Sequence, residues 1–294
     1  MSTQITTAFV QQFSSNVQLL SQQMGSLLRG SVSEEAVTGE KAFFDQVGQS
    51  AAVKRTTRHG DTPLVETPHS RRMVTMDTYE WADLIDDADK VRMLIDPTSA
   101  YARTAAAAMG RAMDDAIIEA ALGTAKTGKS GTTSTSFLSA NQIAGGNVDM
   151  TIEKLIQAKS LLDQNDVDPS LPRYICVSPR QIEALLNNTS IVSQDFNTVK
   201  ALVQGEVDTF MGFRFIVSNR LALNASTNVR SCFAWAEDGI KLAVGKDVMA
   251  RIEERSDKSY ATQVYYCATF GATRMEEEKV VQIDCDEDEV LSFS

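Results

Sequence analysis

The chain is poor in the residue types on which catalysis, metal binding and disulfide scaffolds depend. Only two histidines occur in 294 residues, His59 and His69, and both lie in one short basic segment. Metal ligation by that pair would need carboxylate or cysteine co-ligands at metal spacing, and none lies nearby. The four cysteines, Cys176, Cys232, Cys267 and Cys285, fall singly, three of them within apolar strand-like runs. Without a C-x-x-C pair, zinc spacing is absent and buried, reduced thiols are the expectation. No G-x-S-x-G elbow or protease-type cysteine context appears, so hydrolytic catalysis has no candidate constellation. No run of about eighteen apolar residues is present to form a transmembrane helix. The first ten residues lack the basic and apolar regions of a signal peptide. Positive charge is in the minority: 28 Lys and Arg against 39 Asp and Glu give a formal charge of -11. A surface of that sign repels phosphates, which argues against nucleic acid as a tightly held partner.

What is present begins with a chain long enough to bury a large core and to hold two domains. One stretch stands out. Gly123-Thr-Ala-Lys-Thr-Gly-Lys-Ser130 satisfies the phosphate-loop pattern G-x-x-x-x-G-K-[ST] letter for letter. That chemistry requires a buried strand before the loop and a helix N-terminus after it, where backbone amides cradle the phosphates. Here the order is reversed. Ala-rich sequence from Asp96 to Leu122 predicts a long helix before the octet, with Asp96 as N-cap, Pro97 at the first position and Gly123 as a left-handed stop. After it comes Gly-Thr-Thr-Ser-Thr-Ser, without a helical stripe. The octet is therefore read as a helix exit, with Lys126 and Lys129 in a flexible surface loop. Within the helix, Tyr101, Ala105, Ala108, Met109, Ala112, Met113, Ala116, Ile117 and Ala120 form a small-residue stripe, opposite Arg103, Arg111, Asp114, Asp115 and Glu119.

Other segments fill out a mixed pattern. Phe9, Phe13, Val17, Leu20, Met24, Leu27 and Leu28 recur at helical spacing in an almost uncharged N-terminal region, which packs on a partner subunit, the slightly favoured reading, or on the chain's own body. Residues 51–88 are extended and Thr- and Val-rich, with a turn at His59-Gly60-Asp61 and five basic groups: Lys54, Arg55, Arg58, Arg71 and Arg72. They predict a long β-hairpin with prolines at bends or edges. Carboxylates concentrate elsewhere, at Asp83, Asp86, Asp87 and Asp89 after Trp81, and at Glu276, Glu277, Glu278, Asp284, Asp286, Glu287, Asp288 and Glu289. Opposite charge held in separate segments favours head-to-tail association of identical copies. Helices are predicted at Thr151–Leu162 and Arg180–Asn188. Strands are predicted at Arg173–Ser178, Phe213–Ser218, Cys232–Ala236, Val248–Arg255 and Thr262–Gly271.

Taken in order, these parts resemble the major capsid proteins of tailed bacteriophages, which share the HK97-like fold. The resemblance rests on the N-terminal arm, the basic extended loop ending in Asp77-Thr-Tyr-Glu-Trp-Ala-Asp-Leu-Ile-Asp86, and the Ala-rich helix. It also rests on Val177-Ser-Pro-Arg-Gln-Ile-Glu-Ala-Leu-Leu186, Met211-Gly-Phe-Arg-Phe-Ile-Val-Ser-Asn-Arg220, and Tyr266-Cys-Ala-Thr-Phe-Gly-Ala-Thr-Arg274 before Val280-Val-Gln-Ile283. It implies an α+β fold: an arm (1–50), an extended loop (51–88), a peripheral domain (89–164, spine helix 97–122), an α/β axial domain (165–243) and returning peripheral strands (244–294). The implied function is a non-enzymatic icosahedral shell of pentamers and hexamers around packaged double-stranded DNA, contacted without sequence specificity. A separate scaffolding protein, a portal protein and a decoration protein are the implied partners. No cofactor, metal or Lys–Asn cross-linking pair is assigned. Contacts between subunits are expected from Arg55, Arg58, Arg71, Arg72 and Trp81, and from Glu276, Glu277 and Glu278, and the acidic balance is expected to keep DNA off the inner wall. An encapsulin-like cargo shell and a phosphate-loop enzyme are the alternatives.

Overall fold

In the computed structural model, residues 22–58, 60–85, 98–187 and 209–288 are described. They form an α+β fold divided into two compact units. Unit 1 comprises Met1–Ser26, Thr78–Ala112 and Lys246–Ala268; unit 2 comprises Leu27–Asp77, Met113–Gly245 and Thr269–Ser294.

The core of unit 2 is a mixed sheet. Strand β8 (Arg173–Val177) is buried at every position and lies between β10 (Phe213–Val217), parallel to it, and β12 (Val229–Ala236), antiparallel. Beyond β12 lie β15 (Val280–Asp286) and the short β7 (Gln142–Ile143); β9 (Thr209–Phe210) edges the other side, and β11 (Leu223–Asn224) pairs with β12. A strand apolar on both faces must be covered on both. Helix α2 (Ile152–Gln164) presents Leu155, Ala158 and Leu162, all fully buried at helical spacing. Thr151 caps it, its side-chain oxygen accepting the Lys154 N–H at 3.3 Å. The Lys154 ammonium is itself buried and donates to the carbonyls of Gly145, Val148 and Asp284 at 2.7–2.8 Å, tying the helix to β15. Helix α3 (Pro179–Asn187) follows β8 directly. Trp235 is fully buried on β12, stacks with Tyr174, and donates its indole N–H to the Ser31 carbonyl at 2.9 Å.

A second sheet of unit 2 is a ribbon of β2 (Lys41–Val47) and β3 (His69–Thr75), extended by β5 (Ala125–Thr127) and β6 (Thr133–Thr135). The long hairpin expected over 51–88 thus begins earlier and closes sooner. Pairing ends at Val47 and His69, where the Gly48 N–H meets the Pro68 carbonyl at 2.8 Å, and no described residue of 49–68 lies in a strand. Pro63 and Pro68 have no N–H to give to a ladder, which is why the strands stop.

The octet is a β-turn region rather than a phosphate cradle. β5, within the octet, pairs antiparallel with β6 across residues 128–132, with Gly128 (φ +90°) and Gly131 (φ +67°) turning the chain. The Gly128 N–H is spent on the Arg71 carbonyl and the Gly131 N–H on the Gly128 carbonyl. The next helix, α2, begins only at Ile152. Lys126 sits on β5, not in a loop, and its ammonium reaches the Ser134 hydroxyl at 2.8 Å. Gly123 does not adopt the left-handed conformation expected of it; its N–H closes on the Glu119 carbonyl at 2.7 Å.

Helix α1 (Thr98–Leu122) spans about 37 Å at 1.5 Å per residue, and its residues divide between the two units. The expected cap residues Asp96 and Pro97 lie outside the described residues. Its buried stripe runs Ala105, Met109, Met113, Ile117 and Ala121, while Ala108, Ala112, Ala116 and Ala120 are half-buried. Asp114, placed by the sequence on the polar face, is fully buried and accepts the N–H groups of Leu27 and Leu28 at 3.1 Å. Residues 22–28 are not helical, contrary to the N-terminal spacing, and Leu28 is buried within unit 2 itself; residues 1–21 lie outside the described residues. In unit 1, Gly110 lets the segment at Gly25 cross α1: a Cβ on Gly110 would lie 2.3 Å from the Gly25 carbonyl carbon. Arg111 holds the same segment through Gln22 and the Gln23 carbonyl at 3.1 and 3.2 Å.

The remaining ladder runs β1 (Ser33–Ala36), β13 (Ile240–Arg255), β14 (Ala261–Arg274) and β4 (Asp77–Ile85). In unit 2, β1 lies parallel to Lys241–Val244. In unit 1, Glu80 on β4 accepts from the Tyr265 hydroxyl on β14 at 2.8 Å.

Gly110→Ala tests the crossing. Alanine would add helix propensity worth about 1 kcal/mol, but the clash is expected to dominate and lower stability by about 1–3 kcal/mol. Calorimetry should show a lower Tm, whereas Gly30→Ala, with nothing within 4 Å of its new carbon, should leave Tm nearly unchanged. An unaltered Tm for Gly110→Ala would remove the crossing from the fold.

Candidate functional site

The charged ribbon and the carboxylates expected to answer it are built from β2, β3 and the β14–β15 connection, all in unit 2. Adjacent strand residues face opposite sides, so Arg71 and Arg72 have different surroundings. Arg72 points inward beside Ala42, Phe44 and Val74, which pack with Met76, Ala243 and Met275. Arg71 points outward, opposite Asp45 on β2, whose carboxylate it binds through two nitrogens, and its guanidinium lies 5.5 Å from the Phe43 ring centroid. That hydrogen bond holds the Asp45 carboxyl below its ordinary value.

Arg72 is only 7% exposed. Its Nε donates to the Met275 carbonyl at 2.7 Å and its Nη2 to the Glu277 carboxylate. Glu277 also faces Arg274, 3.5 Å away and fully buried, which donates from Nη1 to the carbonyls of Ala121 and Gly123 and stacks over Phe137. One buried carboxylate thus answers two buried guanidiniums. Burial pulls the Arg274 guanidinium below its ordinary value, and Arg72 adds to this against the pull of Glu277. Arg72 and Glu277, expected from the sequence to meet charges on a neighbouring subunit, meet each other inside one chain.

The other expected contact residues are dispersed. Arg55 and Arg58 are exposed, Arg55 donating to the Thr57 carbonyl at 2.9 Å. Trp81 is half-buried on β4 in unit 1. Glu276 reaches Lys279 at 3.2 Å, an ammonium shared with Asp238, and Glu278 is exposed. His59, Asp86, Asp87, Asp89 and Glu289 lie outside the described residues. All four cysteines are free and buried, and burial pushes the Cys176 thiol far above its ordinary value. Among the described residues, no group of three or more His, Cys, Asp or Glu could hold a metal ion.

A second ionic cluster joins β12 to the C-terminal segment. Glu287 accepts from Arg230 and, at 3.1 Å, from Gln181, while Arg180 reaches the buried Asp149 at 3.3 Å. Burial pushes the Glu287 carboxyl up, but the hydrogen bonds from Arg230 and Gln181 and the Arg180 charge outweigh it, and its pKa is lowered. Sequence reading missed Arg274, Asp45 and Asp114. Arg274 alone left a trace, as a cation ending an apolar strand run; the others are ordinary surface-type residues until folding brings their partners.

Two predictions follow from these clusters. Glu277→Gln leaves two buried guanidiniums unanswered and should cost about 3–5 kcal/mol, more than Arg72→Met, which leaves Glu277 still facing Arg274. Equal losses in denaturant unfolding would refute this arrangement. Reversing Arg72 would likewise impair folding itself, so only exposed arginines can report on assembly. For Glu287, a folded pKa below the unfolded value, about 4.3, means its contribution is present above that pH and is lost as pH falls through the folded value. Thermal melts from neutral pH downward should show Glu287→Gln with lower stability near neutrality and a shallower acid decline than the parent.

The fold and its charged ribbon can be set beside known proteins. No curated protein sequence matches the chain. Among solved structures, the capsid of the cyanophage P-SCSP1u matches with a TM-score of 0.72 at 16% identity, over 97% of this chain and 95% of that one. The capsid of Ralstonia phage GP4 matches at 0.72 and 10% identity, over 98% and 97%. The acid-stable capsid of the Helicobacter pylori bacteriophage KHP30 matches at 0.68 and 11%, over 97% and 98%. At such identities the likeness establishes the fold, which is the HK97-like fold of phage capsids. A family model described as phage capsid protein matches residues 5–287, and the chain therefore belongs to the phage capsid protein family, as a structural protein of the virion capsid.

Proposed function

We propose that this chain is the major subunit of a tailed-phage head, self-assembling into the pentamers and hexamers of an icosahedral shell around double-stranded DNA. The observation that carries the reading is the family match across nearly the whole chain. It favours a phage head over an encapsulin-like cargo shell, and the β-turn geometry of the octet leaves the phosphate-loop enzyme without a phosphate cradle. The role is structural, without a catalytic step. Residues 51–88 serve as the loop laid over a neighbour, 89–164 and 244–294 as the peripheral domain and 165–243 as the axial domain. A separate scaffolding protein directs assembly, a portal protein occupies one vertex and a decoration protein binds outside. The formal charge of -11 lets DNA pack without adhering to the wall.

Electron microscopy of the concentrated full-length chain, alone and co-expressed with the scaffolding protein of its phage, tests the proposal. Closed shells or tubes are expected. Soluble monomers under both conditions would overturn it.

A further inference from the structure

The outer half of β13 presents a bare strand edge in unit 1. On one side β13 pairs with β14, and on the other β1 reaches only to Val244. Along residues 246–255 no described strand lies on that second edge, and residues 250–254 are exposed at every position. An edge of this length templates pairing with other chains, and proteins ordinarily deter it with proline, a bulge or scattered charge. β13 holds no proline, and its charges are ordered. Backbone groups of successive residues point to opposite sides of a strand. The Arg255 carbonyl accepts the Tyr260 N–H at 3.0 Å and so faces β14. Ala250, Ile252 and Glu254 therefore turn their N–H and C=O groups toward the bare edge. Farther back, the Val248 N–H on the same edge is answered within the chain by the Asp247 carboxylate at 2.8 Å. Arg251 and Glu253 flank Ile252 with opposite charges and form no ion pair among the described residues. Ile252, 51% exposed, is the apolar centre of this segment.

We propose that this edge pairs with the same edge of a second copy, antiparallel about a two-fold axis at Ile252. Only residues that both point outward can exchange backbone bonds, so the axis falls on a residue and not between two. With Ile252 on the axis, Ala250 of each copy exchanges N–H···O bonds with Glu254 of the other, and Ile252 with its equivalent. Arg251 of each copy then stands opposite Glu253 of the other, in the closer, non-hydrogen-bonded pairs. Other registers fail. An axis at Ala250 sets Asp247 against Glu253, one at Arg251 sets that guanidinium against itself, and one at Glu253 opposes Arg251 with Arg255. An axis at Met249 would oppose Asp247 with Arg251. It would also require the Val248 N–H, which the Asp247 carboxylate already holds. The segment is thus complementary to itself in one register, as a contact between identical surfaces requires, and its charges oppose the rest. This rests on the shell-forming reading above, which supplies the identical copies, and adds a β-sheet seam between them. Exposed pairs are individually weak and salt-sensitive, so the seam is reversible one copy at a time.

Sedimentation of the full-length chain at rising concentration reads the contact without requiring shells. Glu253→Arg and Arg251→Glu each set like charges opposite one another at both pairs. Either should weaken self-association about tenfold or more, with an unchanged melting profile because both side chains are exposed. An equimolar mixture of the two variants should regain association, and so should a chain carrying both changes. Cross-linking reads the register. A mixture of Arg251→Cys and Glu253→Cys chains, one of them tagged, leaves one Arg–Glu pair intact. On mild oxidation it should give the mixed disulfide dimer in preference to either homodimer. Non-hydrogen-bonded partners lie about 4.5 Å apart at Cα, within disulfide range, and the native cysteines are all buried. A parent chain that stays monomeric, charge reversals without effect, a mixture that does not recover, or homodimers as abundant as the mixed dimer would overturn the proposal. Microscopy of the same samples separates the two readings. Normal shells from the Glu253→Arg chain would reject the seam and keep the shell; paired chains that never close into shells, even with the scaffolding protein, would reject the shell and keep the seam.

Discussion

The architecture of unit 2 turns on one buried carboxylate. Glu277 lies between Arg72 on the ribbon and Arg274 at the end of β14, and these guanidiniums also hold the Met275 carbonyl, a carbonyl in the last turn of α1 and that of Gly123 just beyond it. A helix leaves its final carbonyls without intrahelical partners, and Arg274 answers that of Ala121 at 2.9 Å. Ribbon, helix end and β14–β15 connection are thus fixed by a single electrostatic cluster. Desolvating three charges is costly, and such a cluster specifies geometry more than it adds stability.

The alternation that buries Arg72 turns Arg71 outward, and the rest of the loop's charge lies beyond the ladder. Beyond Val47 and His69 the ladder ends, and Lys54, Arg55 and Arg58 stand in solvent. Three of the 28 Lys and Arg of this net acidic chain thus share one exposed segment.

The N-terminal segment is held against the long helix by two devices. Asp114 is a buried side chain whose carboxyl oxygens accept from the backbone amides of Leu27 and Leu28, and Gly110 removes the side chain that would block the crossing at Gly25. The Ala-rich character of α1 was legible in sequence, because propensity and spacing act locally. Its buried stripe of Met109, Met113 and Ile117 was only partly legible, and Asp114 was misplaced, because its partner lies more than eighty residues away. Arg71 and Arg72, adjacent and alike in sequence, could not be told apart, since which strand face is covered depends on what packs there.

By itself the sequence determined the class of the protein. The scarcity of histidine and of clustered cysteine removed metal and thiol chemistry, hydrophobic periodicity placed the buried strands and helices, and the order of segments pointed to the capsid fold. It also rejected the phosphate loop, because the helix had to follow that octet and instead preceded it. Only the tertiary structure decided where each charge is spent. Ion pairing depends on residues distant in sequence and on burial, which no local pattern encodes. Folding pairs Arg72 with Glu277 and leaves Lys54, Arg55 and Arg58 exposed.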